Sequence, residues 1–438
     1  MAGDSWDVII IGAGAAGLAA ARELSSGGHS ALVLEARDRT GGRVWTRHEP
    51  GLAVPVELGA EFIHGQMPQT LELLAEAGEA ALDTSGEHWT LHDGRLQQRT
   101  EDLFGDIQAA LARSSVLTNP DIAFDTFLTR SEHAGLRKEA ATLARAFVEG
   151  FDAADPARVS THFVAREWGS GGMLDAPQFR PEGGYDVLLK ALQRSLERSN
   201  IQIRLQTVVH KVRWRPGAAD IEALSPDGPA AFHARRVIIT LPLAVLQGTA
   251  SYSVAFEPGL EAKRQALDGL AVGAVLKVNL QFRTAFWEQL EQGRYRDAAF
   301  FHSPGATFAT FWTPRPLHAP LLTAWVGGPK AARLSASSEQ HIIDAALTSL
   351  AAVFSLERDG LGLLGAWVHN WQTDPFARGA YSYVAVGGTS ARCELAAPLG
   401  GTLFFAGEAT NTENEAATVA GALQSGTRAA REVHASLT

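Results

Sequence analysis

The chain has 438 residues, 46% of them hydrophobic, and a formal net charge of −10 from 38 basic and 48 acidic side chains. This length predicts a large core and two domains, and the negative charge argues against nucleic acid as a partner, because duplex binding needs a basic face. The single cysteine, Cys393, excludes an intrachain disulfide. The early apolar run is too short and too rich in glycine to cross a membrane. We therefore expect a cytoplasmic protein without membrane association.

The first predicted unit is a buried strand over residues 7–12, a helix over 15–26 and a second strand over 31–36. A G-x-G-x-x-G pattern lies between the strand and the helix, which is the context in which this pattern marks a dinucleotide site. Its glycines permit a tight turn, close approach of backbone to phosphate, and close helix–strand packing. The pyrophosphate is expected at the helix N-terminus. The predicted cradle consists of Gly12, Gly14, Ala15, Ala16 and Gly17.

A second cofactor segment follows the second strand. Glu35 stands at the end of that strand, where a carboxylate accepts hydrogen bonds from the ribose hydroxyls. Two glycines beside an arginine then allow the backbone N–H groups and the guanidinium group to bind the phosphates jointly. The run E-A-R-D-R-T-G-G-R resembles the second fingerprint of the flavin amine oxidase superfamily, and this resemblance implies FAD. The residues assigned to FAD here are Glu35, Ala36, Arg37, Gly41, Gly42 and Arg43.

The remaining pattern predicts a split fold. Helices are expected over 67–82, 101–150 and 185–199, strands over 201–205, 207–214, 219–224 and 236–241, a strand-rich region over 250–390, and a final strand (403–407) and helix (416–435). We expect an α/β protein with a discontinuous Rossmann-like FAD-binding domain and an α+β substrate-binding domain, whose mixed sheet is covered by helices. The predicted FAD-binding domain comprises residues 1–80, 183–250 and 395–438, and the substrate-binding domain residues 81–182 and 251–394.

The C-terminal segment F-F-A-G-E-A-T, followed by T-V-A-G-A-L-Q-S-G, resembles the closing motif of the polyamine oxidase and lysine-specific histone demethylase branch. The resemblance implies that Glu408 binds the ribityl or phosphate region of FAD. It also implies that the helix beginning near Ala417 directs its positive end at the flavin pyrimidine ring. Gly421 and Gly426 would allow close helix packing. Gly407, Thr418 and Val419 are assigned to the cofactor with Glu408.

Lys277 is the first candidate for chemistry. The alternation of residues 275–282 indicates a half-solvated strand with Lys277 on its polar face. The superfamily resemblance favours another interpretation. Its amine oxidases carry a lysine on such a strand, linked through water to flavin N5, with proposed roles in imine hydrolysis and in flavin reoxidation by O2.

Two aromatic residues are the next candidates. The segment beginning N-W-Q-T-D-P resembles the W-x-x-D-P-x-x-x-G-x-Y motif of the same branch, which implies that Trp371 and Tyr381 flank the flavin and the substrate amine. Trp371 is assigned to the cofactor as well.

Ala380 stands where monoamine oxidases have the cysteine that attaches FAD, so non-covalent FAD is expected. Thr418 replaces the second aromatic residue of their cage, and Glu415 is a candidate contact for a cationic amine or an ordinary loop residue.

The segment G-A-E-F-I-H-G resembles the G-A-x-W-I-H-G segment of animal polyamine oxidases, where the histidine lies at the substrate tunnel. His64 is therefore a candidate substrate contact, although a structural histidine has the same pattern. Further family positions along FAD are matched by Gly59, Ala60, Glu61, Phe62, Val208, Thr240 and Pro242.

Together these resemblances imply the oxidation of a primary or secondary amine, and polyamines are among the candidate substrates. The implied reaction is hydride transfer to flavin N5, which gives an imine and then an aldehyde, with reduction of O2 to H2O2. An L-amino-acid oxidase stays open, although no arginine is assigned to a substrate carboxylate; Arg166 and Arg315 are unplaced. A dehydrogenase with another electron acceptor also stays open, and a non-catalytic FAD-binding module is disfavoured by Lys277, Trp371 and Tyr381. A histone demethylase is disfavoured because the chain has no room for their extra helical domains. No metal site is expected, and the oligomeric state stays open.

Overall fold

The computed structural model describes residues 5–98, 103–113, 116–133, 138–169, 176–248 and 252–438. Most strands in these ranges belong to two large sheets. The first sheet has eight strands, and five of them are parallel in the spatial order 3-2-1-4-5 of a dinucleotide-binding fold. These five are Ile201–Arg204, Ala31–Leu34, Ser5–Ile11, Gly228–Ile239 and Leu403–Phe405. The antiparallel strands Ala218–Ser225 and Val208–Arg215 and the parallel strand Ala255–Glu257 extend the sheet.

The parallel part of the first sheet is buried on both faces, which explains its uninterrupted apolar runs. Helices Ala15–Ser26, Pro68–Ala77, Asp186–Leu196 and Val419–Leu437 cover one face. The first and last of these pack closely, because Gly426 lies against the Ala16 backbone: a Cβ at Gly426 would stand 2.1 Å from the Ala16 carbonyl oxygen. The cofactor motifs from the two ends of the chain therefore meet at one edge of the sheet.

The second sheet is mixed and has seven strands. In spatial order they are Leu363–Val368, Val275–Phe282, Leu321–Gly327, Thr310–Trp312, Ala298–His302, Glu87–His92 and Arg95–Gln98. All neighbours are antiparallel except Ala298–His302 and Glu87–His92. Helix Glu339–Phe354 packs on the apolar face of the sheet. A separate helical cluster contains Leu103–Arg113, Phe124–His133, Lys138–Gly150 and Thr161–Glu167.

Smaller elements connect these parts. Three small sheets pair Thr46–Arg47 with Val56–Glu57, Leu270–Val272 with Ser382–Val384, and Gln178–Pro181 with both Ile63–His64 and Ala81–Asp83. The shorter helices are Leu243–Gln247, Arg264–Asp268, Gly328–Leu334 and Ala391–Ala396, with 3₁₀ turns at Val116–Thr118, Glu261–Lys263, Phe286–Glu288, Leu290–Gly293, Arg358–Leu361 and Glu408–Thr410. No helix in the described part of the chain is long and apolar enough to span a membrane.

The fold class predicted from the sequence is confirmed, and several element boundaries are wrong. The helix predicted over 67–82 ends at Ala77, because Gly78 adopts a left-handed conformation (φ 74°) and ends the helix. The last helix begins at Val419 rather than near residue 416, because Ala417 has a φ of 65° and Thr418 caps the helix. The domain division stays a prediction; strand Ala255–Glu257 pairs with the first sheet, just beyond the boundary proposed at residue 250.

Candidate active site

One large cavity connects the glycine-rich turn to the polar face of the second sheet. Its volume is about 1550 Å³, which exceeds the roughly 300–1,000 Å³ of a common small-molecule pocket. Every residue that the sequence assigned to cofactor or substrate lines this cavity, with the exceptions of Gly17 and of the candidate amine contact Glu415. Gly17 instead packs against the strand: a Cβ at Gly17 would lie 2.0 Å from the Gly12 carbonyl oxygen.

The glycine-rich turn forms a cradle that a dinucleotide fits. Gly12 has a φ of 107°, which favours glycine, and a Cβ there would lie 2.5 Å from Thr240 Oγ1. At Gly14 the backbone is extended, and a Cβ would meet nothing closer than the Gly41 carbonyl oxygen at 3.9 Å. The space in front of Gly14 thus belongs to the cavity, at the N-terminus of helix Ala15–Ser26, where backbone N–H groups attract phosphate.

Glu35 closes the cradle at the end of its strand. Its carboxylate accepts hydrogen bonds from the backbone N–H groups of Ala13 (2.7 Å) and Arg37 (2.9 Å). Burial raises the pKa of Glu35, and these two bonds oppose that rise. The carboxylate therefore joins the glycine-rich turn to the segment after the second strand, while it lines the part of the cavity predicted to hold the ribose.

Arg37 joins the cradle to the aromatic segment at residues 371–376. Its guanidinium makes two hydrogen bonds to Asp374, at 2.7 and 2.8 Å, and lies over the Trp371 ring at 5.9 Å. His369 Nε2 is 2.8 Å from the same carboxylate. Burial alone would raise the pKa of Asp374, but the bonds from His369 and Arg37 outweigh it, and the pKa lies below its ordinary range. Asp374 is therefore ionised and fixes the position of both partners.

We expect Asp374→Asn to lower the free energy of unfolding by about 3 kcal/mol at neutral pH, because it leaves Arg37 without its buried anion. Since the folded state lowers the pKa of Asp374, this stability is present above the unfolded value of about 4 and is lost as the pH falls further. Urea unfolding at neutral and acidic pH measures both effects. Asp38→Asn, at an exposed neighbour, serves as the control, and an equal loss at both pH values would contradict the assignment.

Glu408 also lines the cavity, where one arginine is paired with its carboxylate and a second contributes its charge. Arg43 Nη1 is 3.0 Å from Glu408 Oε1 and also donates to the Ala380 carbonyl oxygen. Ser382 donates to Glu408 Oε2 at 2.6 Å, and Arg392 donates to Ser382 Oγ at 2.8 Å. Burial opposes ionisation of Glu408, but the charges of Arg43 and Arg392 lower its pKa. Arg392 was not singled out in the sequence, because no local pattern indicates that this half-buried side chain contacts Ser382.

Thr418 lines the cavity, and its hydroxyl group is engaged in capping the last helix. The hydroxyl oxygen accepts a hydrogen bond from the Gly421 backbone at 3.0 Å and donates to the Glu415 carbonyl oxygen at 2.6 Å. Val419 begins the helix and lines the cavity beside it. The positive end of this helix therefore faces the cavity, and its direction toward the flavin pyrimidine ring stays a prediction.

Lys277 is buried, so the prediction of a half-solvated strand is wrong. Its side chain is 2% exposed, because the polar face of Val275–Phe282 packs against residues 57–61 instead of water. The ammonium nitrogen lies 2.6 Å from Glu61 Oε2 and donates to the Gly59 carbonyl oxygen at 3.1 Å. Glu61, assigned to the cofactor by resemblance, thus lines the cavity as the counter-ion of Lys277.

Trp371, Tyr381 and His64 form aromatic walls of the same cavity. Trp371 donates to the Leu58 carbonyl oxygen at 2.9 Å, and Tyr381 donates to that of Phe151 at 2.6 Å, so both rings are fixed. Burial raises the pKa of Tyr381 above its ordinary range and lowers that of His64 to about 4. Both groups are therefore neutral at physiological pH, which suits an apolar surface for an amine.

Residues 15–434 match the family described as flavin containing amine oxidoreductase. The chain belongs to this family. It is 30% identical to human lysine-specific histone demethylase 2 over 98% of the chain and 53% of that protein. It is 28% identical to Arabidopsis thaliana polyamine oxidase 2 over 98% of the chain and 88% of that protein. The chain thus spans about half the length of the demethylases that it matches.

Solved structures of two amine oxidases share the fold. A putrescine oxidase bound to putrescine superposes with a TM-score of 0.80 at 23% identity, covering 99% of both chains. Cyclohexylamine oxidase from Brevibacterium oxydans IH-35A gives a TM-score of 0.80 at 22% identity, over 99% of this chain and 100% of that one. Membership of this flavin family, together with the fitting cradle, identifies FAD as the cofactor.

Acidic residues that the sequence analysis did not single out line the same cavity near Tyr381. Burial and the charge of Glu167 raise the pKa of Asp152 well above its ordinary value, and burial raises that of Glu167. Asp152 Oδ2 is buried without a hydrogen bond of good geometry among the described residues, and the Trp168 side chain only partly opposes the rise in the Asp152 pKa. Glu415, which the sequence analysis named as a candidate amine contact, does not line the cavity, and burial and the charge of Glu167 raise its pKa to about 7. Isolated carboxylates in helices and loops give no sequence signal for such a cluster.

Proposed function

We propose that this chain is an FAD-dependent oxidase of a diamine or polyamine, which it converts to an imine and then an aldehyde while O2 becomes H2O2. The observation that carries the proposal is the convergence of Lys277, Trp371 and Tyr381 on the cavity that contains the FAD cradle. Its similarity to polyamine oxidases over nearly their whole length supports the same conclusion. FAD, when bound, accepts the hydride from the α-carbon of the amine and passes the electrons to O2.

The side chains of the cavity prepare the amine for this reaction. Only a neutral amine releases hydride, and an apolar wall lowers the pKa of a bound ammonium group. Trp371 and Tyr381 supply such a wall, and the neutral His64 adds no competing positive charge. The buried walls also exclude bulk water until the product leaves. Lys277, held as the partner of Glu61, is a hydrogen-bond donor at the same wall.

The acidic residues support a substrate with a second positive charge. Asp152 and Glu167 line the cavity close enough for the charge of one to raise the pKa of the other. An ammonium group between them would pair with the buried Asp152 Oδ2 and favour the ionised carboxylates. A diamine can thus be anchored at one end by charge while the other end, as a neutral amine, meets the aromatic wall.

An L-amino-acid oxidase is less well supported. Such an enzyme needs an arginine for the substrate carboxylate. Among the described residues that line the cavity, the arginines are Arg37 and Arg43, and each is paired with a carboxylate near the cradle. Arg315 binds Asp297 outside the cavity, and Arg166 is exposed.

The test is peroxide production by the yellow, FAD-loaded protein with putrescine, spermidine, spermine, N-acetylated polyamines, aromatic monoamines, L-amino acids and an N-methylated lysine peptide. Flavin bleaching without oxygen is followed in parallel. Peroxide with a diamine or polyamine supports the proposal. Bleaching without peroxide indicates a dehydrogenase, peroxide with the methylated peptide alone indicates a demethylase, and no signal with any amine contradicts amine oxidation.

Asp152→Asn is expected to lower kcat/KM for a diamine by about 10- to 100-fold, the equivalent of one charge-assisted hydrogen bond of about 1.5–3 kcal/mol. The activity toward a monoamine of equal length should change little, because that substrate lacks the second ammonium. Glu149→Gln is the matched control, since Glu149 also lines the cavity but faces Lys330 and Arg333. An equal loss for diamine and monoamine would assign Asp152 a structural role.

A further inference from the structure

The buried ion pair between Lys277 and Glu61 is the starting point. The two charged atoms are 2.6 Å apart, and the side chains are 2% and 9% exposed. Removing two such charges from water is costly unless they are paired in good geometry. The buried Lys277 ammonium therefore depends on a nearby anion to remain charged inside the protein.

Glu61 is fixed by two further donors. Trp312 Nε1 donates to Glu61 Oε1 at 3.0 Å, and Arg180 Nη1 is 3.2 Å from the same oxygen. Arg180 is itself held by the Thr313 carbonyl oxygen at 3.1 Å. Burial favours the protonated form of Glu61, but the charges of Lys277 and Arg180 outweigh it and lower the pKa of Glu61. Glu61 is thus a permanently ionised group with a fixed orientation.

Among the described residues, Glu57 is a second carboxyl group whose charge interacts with Lys277. It belongs to the same segment as Glu61, and its oxygens accept hydrogen bonds from the Tyr185 backbone at 2.6 Å and from Thr46 Oγ1 at 2.8 Å. Burial raises the pKa of Glu57 to about 7, even though the charge of Lys277 opposes the rise. Glu57 is therefore partly protonated at neutral pH. Across strand Leu321–Gly327 the residue opposite Lys277 is the uncharged Trp325, so Glu61 is the permanent anion at this wall.

We infer that Glu61 is a positioning residue that keeps Lys277 protonated and directed into the cavity, so that the lysine acts as a fixed cation and donor rather than as a base. A protonated lysine cannot take the proton of the substrate amine. It can stabilise the negative charge that builds up when O2 takes electrons from reduced FAD, because a preorganised donor acts strongly in a water-poor site. The inference rests on the proposed oxidase function.

The experiment uses FAD-loaded protein that has been reduced with a stoichiometric amount of dithionite in the absence of oxygen and of any amine. The reduced protein is mixed rapidly with O2, and flavin absorbance is followed over a range of pH. Glu61→Gln is expected to slow reoxidation at neutral pH by about 100-fold, to the level of Lys277→Met, since a buried lysine without its anion loses its proton. The rate should recover as the pH is lowered, because Lys277 is then protonated again. Lys277→Met should show no such recovery.

A rescue variant and a control separate this role from a structural one. Adding Lys277→Arg to Glu61→Gln should restore most of the neutral-pH rate, because a guanidinium group stays charged without an anion. Glu57→Gln removes a neighbouring buried carboxyl group and should leave the pH profile near that of the unchanged protein. The inference would be overturned if the pH profile of the reoxidation rate moved to lower pH in Glu57→Gln but not in Glu61→Gln. A Glu61→Gln protein that reacts slowly with O2 at every pH would overturn it as well.

A second readout needs neither FAD nor O2. In FAD-free protein, Glu61→Gln should lower the denaturant midpoint, and adding Lys277→Met should restore part of the loss, because the unpaired cation is removed. If the two substitutions change the denaturant midpoint by strictly additive amounts, the pairing of Glu61 with Lys277 is overturned.

If no amine reduces the flavin, the proposed substrate class fails while both tests of Glu61 still apply. If O2 does not reoxidise the unchanged protein, the oxidase function and the oxygen step fail together, and the FAD-free cycle alone reports on the pair.

Discussion

Replacing Lys277 with methionine is expected to slow the reaction of reduced flavin with O2 by about 10²- to 10³-fold, the usual effect of removing one preorganised charged donor. Methionine fills a similar volume in the buried strand. Arg180 stays 3.2 Å from Glu61, so the carboxylate keeps a cation and the fold should persist. Rapid mixing of anaerobically reduced protein with O2 measures the rate.

The matched control for this variant is Asn279→Leu, two residues further along the same strand face. Asn279 is buried and donates to the Glu57 carbonyl oxygen at 3.0 Å, but it does not line the cavity. It should change stability rather than the reoxidation rate of the protein that does fold. A Lys277→Met protein that reacts with O2 as fast as the unchanged protein would exclude Lys277 from the oxygen step.

A methyl group at Gly14 should remove the cofactor without unfolding the protein. Its backbone is compatible with alanine (φ −74°), and the nearest protein atom to the new Cβ is 3.9 Å away. The methyl group would instead occupy the space where the pyrophosphate approaches the helix N-terminus. We expect Gly14→Ala to weaken FAD binding by about 10- to 100-fold, as for an overpacked site that costs about 1–3 kcal/mol.

Gly17→Ala provides the contrast, because its Cβ would stand 2.0 Å from the Gly12 carbonyl oxygen. This variant should lose both FAD and thermal stability, whereas FAD-free Gly14→Ala should unfold at the same temperature as the FAD-free parent. Flavin fluorescence titration and thermal unfolding of the FAD-free proteins distinguish the two effects. Unchanged FAD affinity in Gly14→Ala would exclude this turn as the phosphate cradle.

Local patterns predicted the cradle well, and long-range burial was not predictable from them. The helix predicted over 15–26 has those bounds, because its strand, turn and apolar run are adjacent in sequence. The burial of Lys277 depends on residues 57–61, more than 200 positions away, so alternation along its own strand could not reveal it. The family resemblance supplied that residue, but it gave no indication that Glu61 would be its partner.

Carboxylates and arginines of the substrate half were the least predictable. Asp152, Glu167 and Arg392 lie on separate segments that the fold brings into electrostatic contact. A charged side chain in a helix or loop ordinarily faces solvent, so nothing in the local sequence distinguishes these three. Only the packing of the helical cluster against the segment around Tyr381 reveals them.

The strand order of the first sheet has a consequence for biosynthesis. Ser5–Ile11 is synthesised long before the strand Leu403–Phe405 and the helix that completes the cradle. Because contacts between segments so far apart in the sequence form slowly, the FAD site cannot assemble until the later strand and helix have left the ribosome. Bound FAD then stabilises the folded chain, so cells short of flavin should accumulate it in a less stable, more protease-sensitive form.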